Sequence, residues 1–416
     1  MPPKADPYAT KLHSRINVFL LALTVIIFAI VLQTSQGATK QFDGGTSADT
    51  ATGTSTSWGS TNGLSWRLDG VPTAADDVIF DNVFLPTLQN VQLGGSGSRV
   101  ANSLTLSLTT DQTWSLGANS TGSSGTTATL TLTSGNITRT NTANSMLNTI
   151  GATSGMGLLT GAVTTLSTTA AGFTIANQDT DGGLQINAVV TGANKSVTIA
   201  GPGTTTFSGA NSYTGSTLIS SGKLVAQVGT LVSTSSVTVN AGGTLMLSGN
   251  GRHLGNATGV ILNGGTFNTG GFSEPTTTRT IGQNIGSVTL QASSILDLAN
   301  GSSVIAFADS STRTWAGTLS IYNWTGNTVL GNGTDQVHFG DGVTGLTLAQ
   351  LNQIQFYSDS GTTFLGTATW APDMDGEIVP TFVPVPEPST WAAGILAVVG
   401  AAFAQRRRIM RVRGTA

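Results

Sequence analysis

An apolar triplet followed by a glycine-rich or serine-rich corner recurs five times in the middle of the chain at a nearly fixed interval. The copies begin at Val197, Thr217, Val237, Val260 and Val288, so the steps are 20, 20, 23 and 28 residues. Val197-Thr198-Ile199 runs into Gly201 and Gly203, Thr217-Leu218-Ile219 into Gly222, Val237-Thr238-Val239 into Gly242-Gly243, and Val260-Ile261-Leu262 into Gly264-Gly265. Glycine at a corner permits the positive φ at which a Cβ would clash. An interval of this size fits one coil of a solenoid, whose apolar face is buried only when coils stack. The pattern predicts an all-β chain folded as a right-handed parallel β-helix (solenoid) with a small C-terminal cap. Leu224, Leu245 and Phe267 hold equivalent places after the corners and should stack inward. A β-sandwich is the alternative, since its strands also recur with regular turns. Glycine pairs that stay in phase with the triplets favour the solenoid. The longer later steps suggest loops inserted at one corner, such as Ser273 to Arg279 around Pro275.

The same alternation appears earlier, at Leu104-Thr105-Leu106, Leu130-Thr131-Leu132 and Leu184-Gln185-Ile186. Period-two patterning with turn residues between reads as strands. It outweighs the disorder that only 9% charged residues among abundant Gly, Ser and Thr would otherwise suggest. With no cysteine, stability must come from packing and backbone hydrogen bonds. The net charge of −3 hides an asymmetry: residues 1–37 carry +2 and residues 385–416 carry +4, leaving −9 for residues 38–384. Such a body has no basic stripe for nucleic acid.

The run from Gly203 through Asn211, Tyr213-Thr214-Gly215, Thr217, Ile219 and Gly222 to Leu224 resembles the autotransporter-associated β-strand repeat. Tyr213, Thr214, Gly215, Thr217, Ile219, Gly222 and Leu224 match its motif, which appears clearly once, near 203–226. Gly70 to Phe80 resembles the opening coil of such proteins. The resemblance implies a surface or secreted solenoid of adhesin-like character, within a body spanning 38–308. No sequence suited to a membrane β-barrel translocator follows, so self-transport is not expected.

Residues 309–371 read as a β-rich cap. Trp315 and Trp324 are expected to pack over the solenoid end, which would otherwise expose its core. Thr347 is placed to cap a short helix carrying Leu348 and Leu351, ahead of a strand from Ile354 to Tyr357. Residues 372–388 form a proline-spaced linker.

Little in the body suits catalysis. Beyond residue 37 the histidines are His253 and His338 alone, and no nucleophile elbow is present. Asp76, Asp77 and Asp81 are the best acidic cluster; they are read as surface charge or turn capping rather than as the carboxylates of a polysaccharide hydrolase or lyase. A carbohydrate-active β-helix enzyme is the alternative from another class. Asp179-Thr180-Asp181-Gly182-Gly183 and Asp373-Met374-Asp375-Gly376-Glu377 offer carboxylates at alternate positions, but neither completes a calcium loop and both read as turns. No catalytic residue, metal or cofactor is expected.

The two ends carry the addressing information. Lys4, Lys11 and Arg15 precede an apolar run from Val18 to Leu32, with small residues up to Gly37, as in a secretory signal peptide spanning 1–37. At the other end stand Val385, Pro386, Glu387 and Pro388, an apolar segment over 389–404, and a basic tail over 405–416 that opens with Arg406, Arg407 and Arg408. Prolines around one glutamate hold an extended, exposed backbone, and the arginines favour the cytoplasmic side. This order resembles the PEP-CTERM sorting signal of Gram-negative bacteria. The resemblance implies an exosortase-type processing enzyme as partner, at least transient membrane anchoring through the C-terminal segment, and a destination at the cell surface or in extracellular matrix. Extracellular polysaccharide is the expected contact there. From Trp391 to Ala404 the apolar core has only fourteen residues, where a full span needs about twenty. Snorkelling arginines make a short or tilted insertion tolerable.

Overall fold

A computed structural model of the chain describes residues 37–42, 58, 70–81, 90–93, 98–109, 113–118, 127–140, 145–151, 163–275, 278–372 and 375–381. The chain winds as a parallel β-solenoid. Successive strands alternate between two long sheets, of 12 and 15 strands among the described residues. Ser196–Ala200, Thr217–Ile219, Ser236–Asn240, Gly259–Asn263 and Val288–Ala292 stack in one sheet. Thr204–Phe207, Gly222–Gln227, Gly243–Ser248, Thr266–Asn268 and Ser294–Asp297 stack in the other. All these neighbours pair in parallel, which excludes the antiparallel sandwich.

The register follows the sequence repeat. Val197 lies opposite Thr217, Thr217 opposite Val237, Val237 opposite Val260 and Val260 opposite Val288. On the second sheet Leu224, Leu245, Phe267 and Leu296 form one column, and all four are buried. The two inner faces meet in a single continuous core. A strand's period of two sends alternate residues inward, so one-residue slips would expose whole columns.

A third side joins the sheets more loosely. It holds the parallel bridges Leu231 to Leu254, Glu274 to Ile305 and Ile285 to Phe307, and the strand Val304–Phe307. The stretch read as an inserted loop begins here: Ser273, Glu274 and Pro275 are buried, and Thr278 is exposed. Glu274 is held inside because its main chain and carboxylate both bond to neighbouring coils.

Aromatic rings fill both ends. At the first coils Phe80 packs on Phe42, Trp58 and Trp114 at centroid distances of 5.2, 5.7 and 5.0 Å. At the far end Trp324 meets Phe356 edge-on at 5.4 Å, and Trp315 meets Phe339 at 5.9 Å. Trp315 Nε1 donates to Val288 O, which ties the ring to the preceding coil. The tryptophans thus pack at the end of the core.

Parallel pairing continues beyond residue 308, through Leu319–Tyr322, Gln336–Phe339 and Ile354–Tyr357. Antiparallel strands Phe364–Trp370 and Glu377–Pro380 then join the edge of Ile354–Tyr357 to that of Gln336–Phe339. The last parallel edges of these two faces are therefore covered, as the end of a solenoid requires. Among the described residues the other long sheet ends at Val288–Ala292, with a single bridge from Leu290 to Trp315. Glu377–Pro380 falls inside the stretch read as a linker. The short helix Leu348–Asn352 forms with Thr347 as its cap in a reciprocal capping box with Gln350. Leu351 is buried, but Leu348 is 74% exposed. The core-facing helical positions are taken by Gln350 and Leu351, and the Gln350 amide donates to Ser310 O and Arg313 O.

Candidate functional site

The residues of the repeat motif lie on one coil and have separable physical roles. Ile219 and Leu224 are fully buried, one in each sheet. Thr217 occupies an otherwise apolar column between Val197 and Val237, so its hydroxyl enters the core. It is satisfied there by the Tyr213 hydroxyl at 2.7 Å and the Thr234 hydroxyl at 3.1 Å, and Thr234 in turn donates to Gly215 O. Burial pushes the Tyr213 phenol upward, against the smaller opposing effect of its threonine partners. Thr214 Oγ1 accepts from Asn194 N at 2.8 Å.

Two glycines of the motif are steric requirements. A Cβ on Gly215 would stand 2.3 Å from Lys195 O. Gly222 has φ +71°, and its Cβ would stand 2.2 Å from Gly201 O. Asn211, quoted within the motif but given no role from sequence, proves to be a tie between coils. It is buried, accepts from Val190 N at 2.9 Å and donates to Thr230 O at 3.0 Å. Its signal was its place two residues before Tyr213.

Residues 197–226 match the family model of the passenger-associated transport repeat. The transport repeat spans the four strands from Ser196–Ala200 to Gly222–Gln227, about one and a half coils. Together with the parallel β-fold it fits a passenger-like β-solenoid. No curated protein and no solved structure matches the chain.

The outward columns of the coils form the broadest candidate binding surface. On one sheet Thr174, Thr198, Leu218, Thr238, Ile261 and Thr289 follow one another across successive strands. On the other, Thr206, Val225, Met246, Asn268, Asp297 and Tyr322 do so. These surfaces are mixed rather than uniformly Thr, Ser and Asn. Some polar groups bind each other across coils: Asn263 donates to Asn240 Oδ1, and Asn268 and Asn323 both donate to Asp297. A surface cavity of about 570 Å³ lies along the stacked corners, lined by Gln178, Gly201, Pro202, Ser221, Gly222 and Gly242.

The carboxylates picked out from sequence are engaged in the fold. Asp76 accepts from Ala38 N and from Thr73 N and Oγ1. Burial works against its ionisation, but these bonds and nearby Lys40 prevail and hold it below the usual carboxylate range. Asp77 accepts from Asn102 and Ser103, and Asp81 from Gln41. Asp77 and Asp81 do share the outer face of strand Asp77–Asp81. Four residues of strand separate them by about 13 Å, beyond the roughly 5–9.5 Å of glycosidase carboxyl pairs.

Asp179 is fully buried and pairs with Arg139 at 3.1 Å, while its second oxygen accepts from Asp181 N in a turn. His253 is likewise buried, with Nδ1 2.6 Å from Glu274 Oε2 and Nε2 3.2 Å from Ser248 O. Sequence gave no hint of either pair, because the partners lie 40 and 21 residues apart on different coils. One further group of donors converges at the closing end: His338, Asp375 and Glu377.

The signal peptide up to residue 36, the sorting motif Val385 to Pro388, the segment 389–404 and Arg406 to Arg408 lie outside the described residues. Among the described residues no helix is long and apolar enough to cross a membrane.

Proposed function

We propose that the protein is an exported β-solenoid of structural or adhesive character, displayed at the cell surface or in the extracellular matrix of a Gram-negative bacterium. The observation that carries this reading is the transport repeat folded as an in-register coil at residues 197–226. In this reading residues 1–37 direct export, and an exosortase-type enzyme reads Val385 to Pro388 while residues 389–404 hold the chain in the membrane.

The body acts by display rather than turnover. The half-buried polar residues of the outward columns offer many weak hydrogen bonds, each worth about 1 kcal/mol net. Repeated along a rod, they suit avidity toward a repetitive polymer such as extracellular polysaccharide. The test compares binding of the purified body to polysaccharide as a monomer and arrayed on beads. Weak monovalent and strong arrayed binding is expected. Depolymerisation of the glycan, abolished by Asp77→Asn or Asp81→Asn, would contradict it and favour a carbohydrate-active enzyme.

A further inference from the structure

The closing strand Glu377–Pro380 is held against Gln336–Phe339 by only two described register pairs, Val337 with Ile378 and His338 with Glu377. At that junction the side chains of His338, Asp375 and Glu377 turn toward one another. One ligand-type atom from each lies within 4.8 Å of the others. His338 and Glu377 are buried, and the Asp375 side chain is 20% exposed.

The tautomer of His338 can be read from its neighbours. Gln336 donates its amide nitrogen to Gly333 O, which leaves Gln336 Oε1 as an acceptor facing His338 Nε2 at 3.2 Å. Nε2 therefore carries the proton. Nδ1 is then free to present a lone pair in the neutral ring. It is fully buried, lies 3.3 Å from Asp375 Oδ1, and makes no hydrogen bond. A buried imidazole nitrogen with no hydrogen bond, close to two carboxylates, is the arrangement a cation would join.

The carboxylates are also held in place. Glu377 Oε2 accepts from Asn332 N at 2.7 Å, and Asp375 Oδ1 accepts from Glu377 N at 3.1 Å. Arg279 is nearby, but its guanidinium is committed to Asp341 and Gly340 O. A cavity of about 370 Å³ opens beside Asp375, Asn332 and Gln336.

We propose that His338 Nδ1, Asp375 and Glu377 are three ligands of a divalent transition-metal ion of the zinc type. The ion clips the closing strand to the last coil. Its remaining coordination position faces the cavity, where water completes the shell. Ligands at about 2.0–2.2 Å from a tetrahedral zinc lie about 3.3–3.6 Å apart. His338 Nδ1 and Asp375 Oδ1, at 3.3 Å, already stand at that spacing, and a donor pair as far apart as 4.8 Å closes by about 1.2–1.5 Å through side-chain rotation. One imidazole with two carboxylates suits zinc or manganese better than calcium, which takes six to eight oxygens.

The test uses the full chain, stripped with a chelator and titrated calorimetrically with zinc chloride, with calcium chloride in parallel. One zinc per chain, a rise in Tm and no comparable calcium effect are expected. Asp375→Asn and Glu377→Gln should each weaken zinc binding at least tenfold. The partly exposed Asp375 makes Asp375→Asn the variant that keeps the fold, checked by unchanged circular dichroism of the metal-free protein. Cobalt should give visible d–d absorption that is lost in His338→Gln. Absence of saturable zinc binding, or binding unchanged in Asp375→Asn, would overturn the proposal.

Discussion

The Tyr213 hydroxyl lies 2.7 Å from Thr217 Oγ1 inside the core, four residues along the chain. Thr217 stands where the neighbouring coils carry Val197 and Val237. A hydroxyl in an apolar column is costly unless it is bonded. The tyrosine of the motif supplies that bond, so the two positions should be read as one unit.

Tyr213→Phe should therefore destabilise the fold by about 0.5–1.5 kcal/mol, and Thr217→Val in the same background should cost little further. Denaturant titration of the four proteins of that cycle measures the coupling. The phenol also sets an alkaline limit. Its folded pKa is raised, while in the unfolded chain it ionises near 10. Unfolding releases the proton above that pH, so stability is full below it and falls as pH rises. Tyr213→Phe should flatten that fall.

Leu245 sits between Leu224 and Phe267 in a fully buried column. Leu245→Ala should cost roughly 2–5 kcal/mol, depending on how far the coils collapse into the cavity. A loss under about 1 kcal/mol by denaturant titration would contradict the inward stacking.

Gly222 combines positive φ with backbone contact to Gly201. The conformation alone costs an alanine about 1–3 kcal/mol, and the contact with Gly201 O adds to it. Gly222→Ala should thus lower Tm far more than Gly242→Ala, where φ is +80° but no atom lies within 4 Å of the added Cβ.

Glu274 accepts from His253 N, His253 Nδ1 and Leu254 N, all in the interior. Glu274→Ala would leave three buried donors without their acceptor. A loss of about 3–5 kcal/mol is expected, and Glu274→Gln should recover part of it. Equal stability of the alanine variant in thermal melts would show that the pair does not tie these coils.

The coil register was legible because four of the five triplets run into glycine four to six residues after their first residue and the fifth into Ser293-Ser294, and because Val197, Val237, Val260 and Val288 are β-branched residues that suit a buried column. The helix capped by Thr347 was legible for a similar local reason. The third side was not, since Leu231 with Leu254 and Glu274 with Ile305 pair through isolated bridges with no shared alternating pattern. Which leucine of the helix meets the core was not legible either, since the composition of a single helical turn does not show that Leu351 is buried while Leu348 faces solvent. The pairs Arg139 with Asp179 and His338 with Asp375 depend on which coil edges the winding brings together, and no local spacing encodes that.

The sorting signal gives the most direct test of the proposed role. Cells producing the protein would be fractionated, and both termini of the surface-associated form determined by mass spectrometry. A mature chain that begins near Ala38 and ends near Pro388, with Glu387→Ala leaving precursor in the membrane fraction, is the expected result. Surface protein that still carries Arg406 to Ala416, or protein found only inside the cell, would contradict export and sorting through these signals.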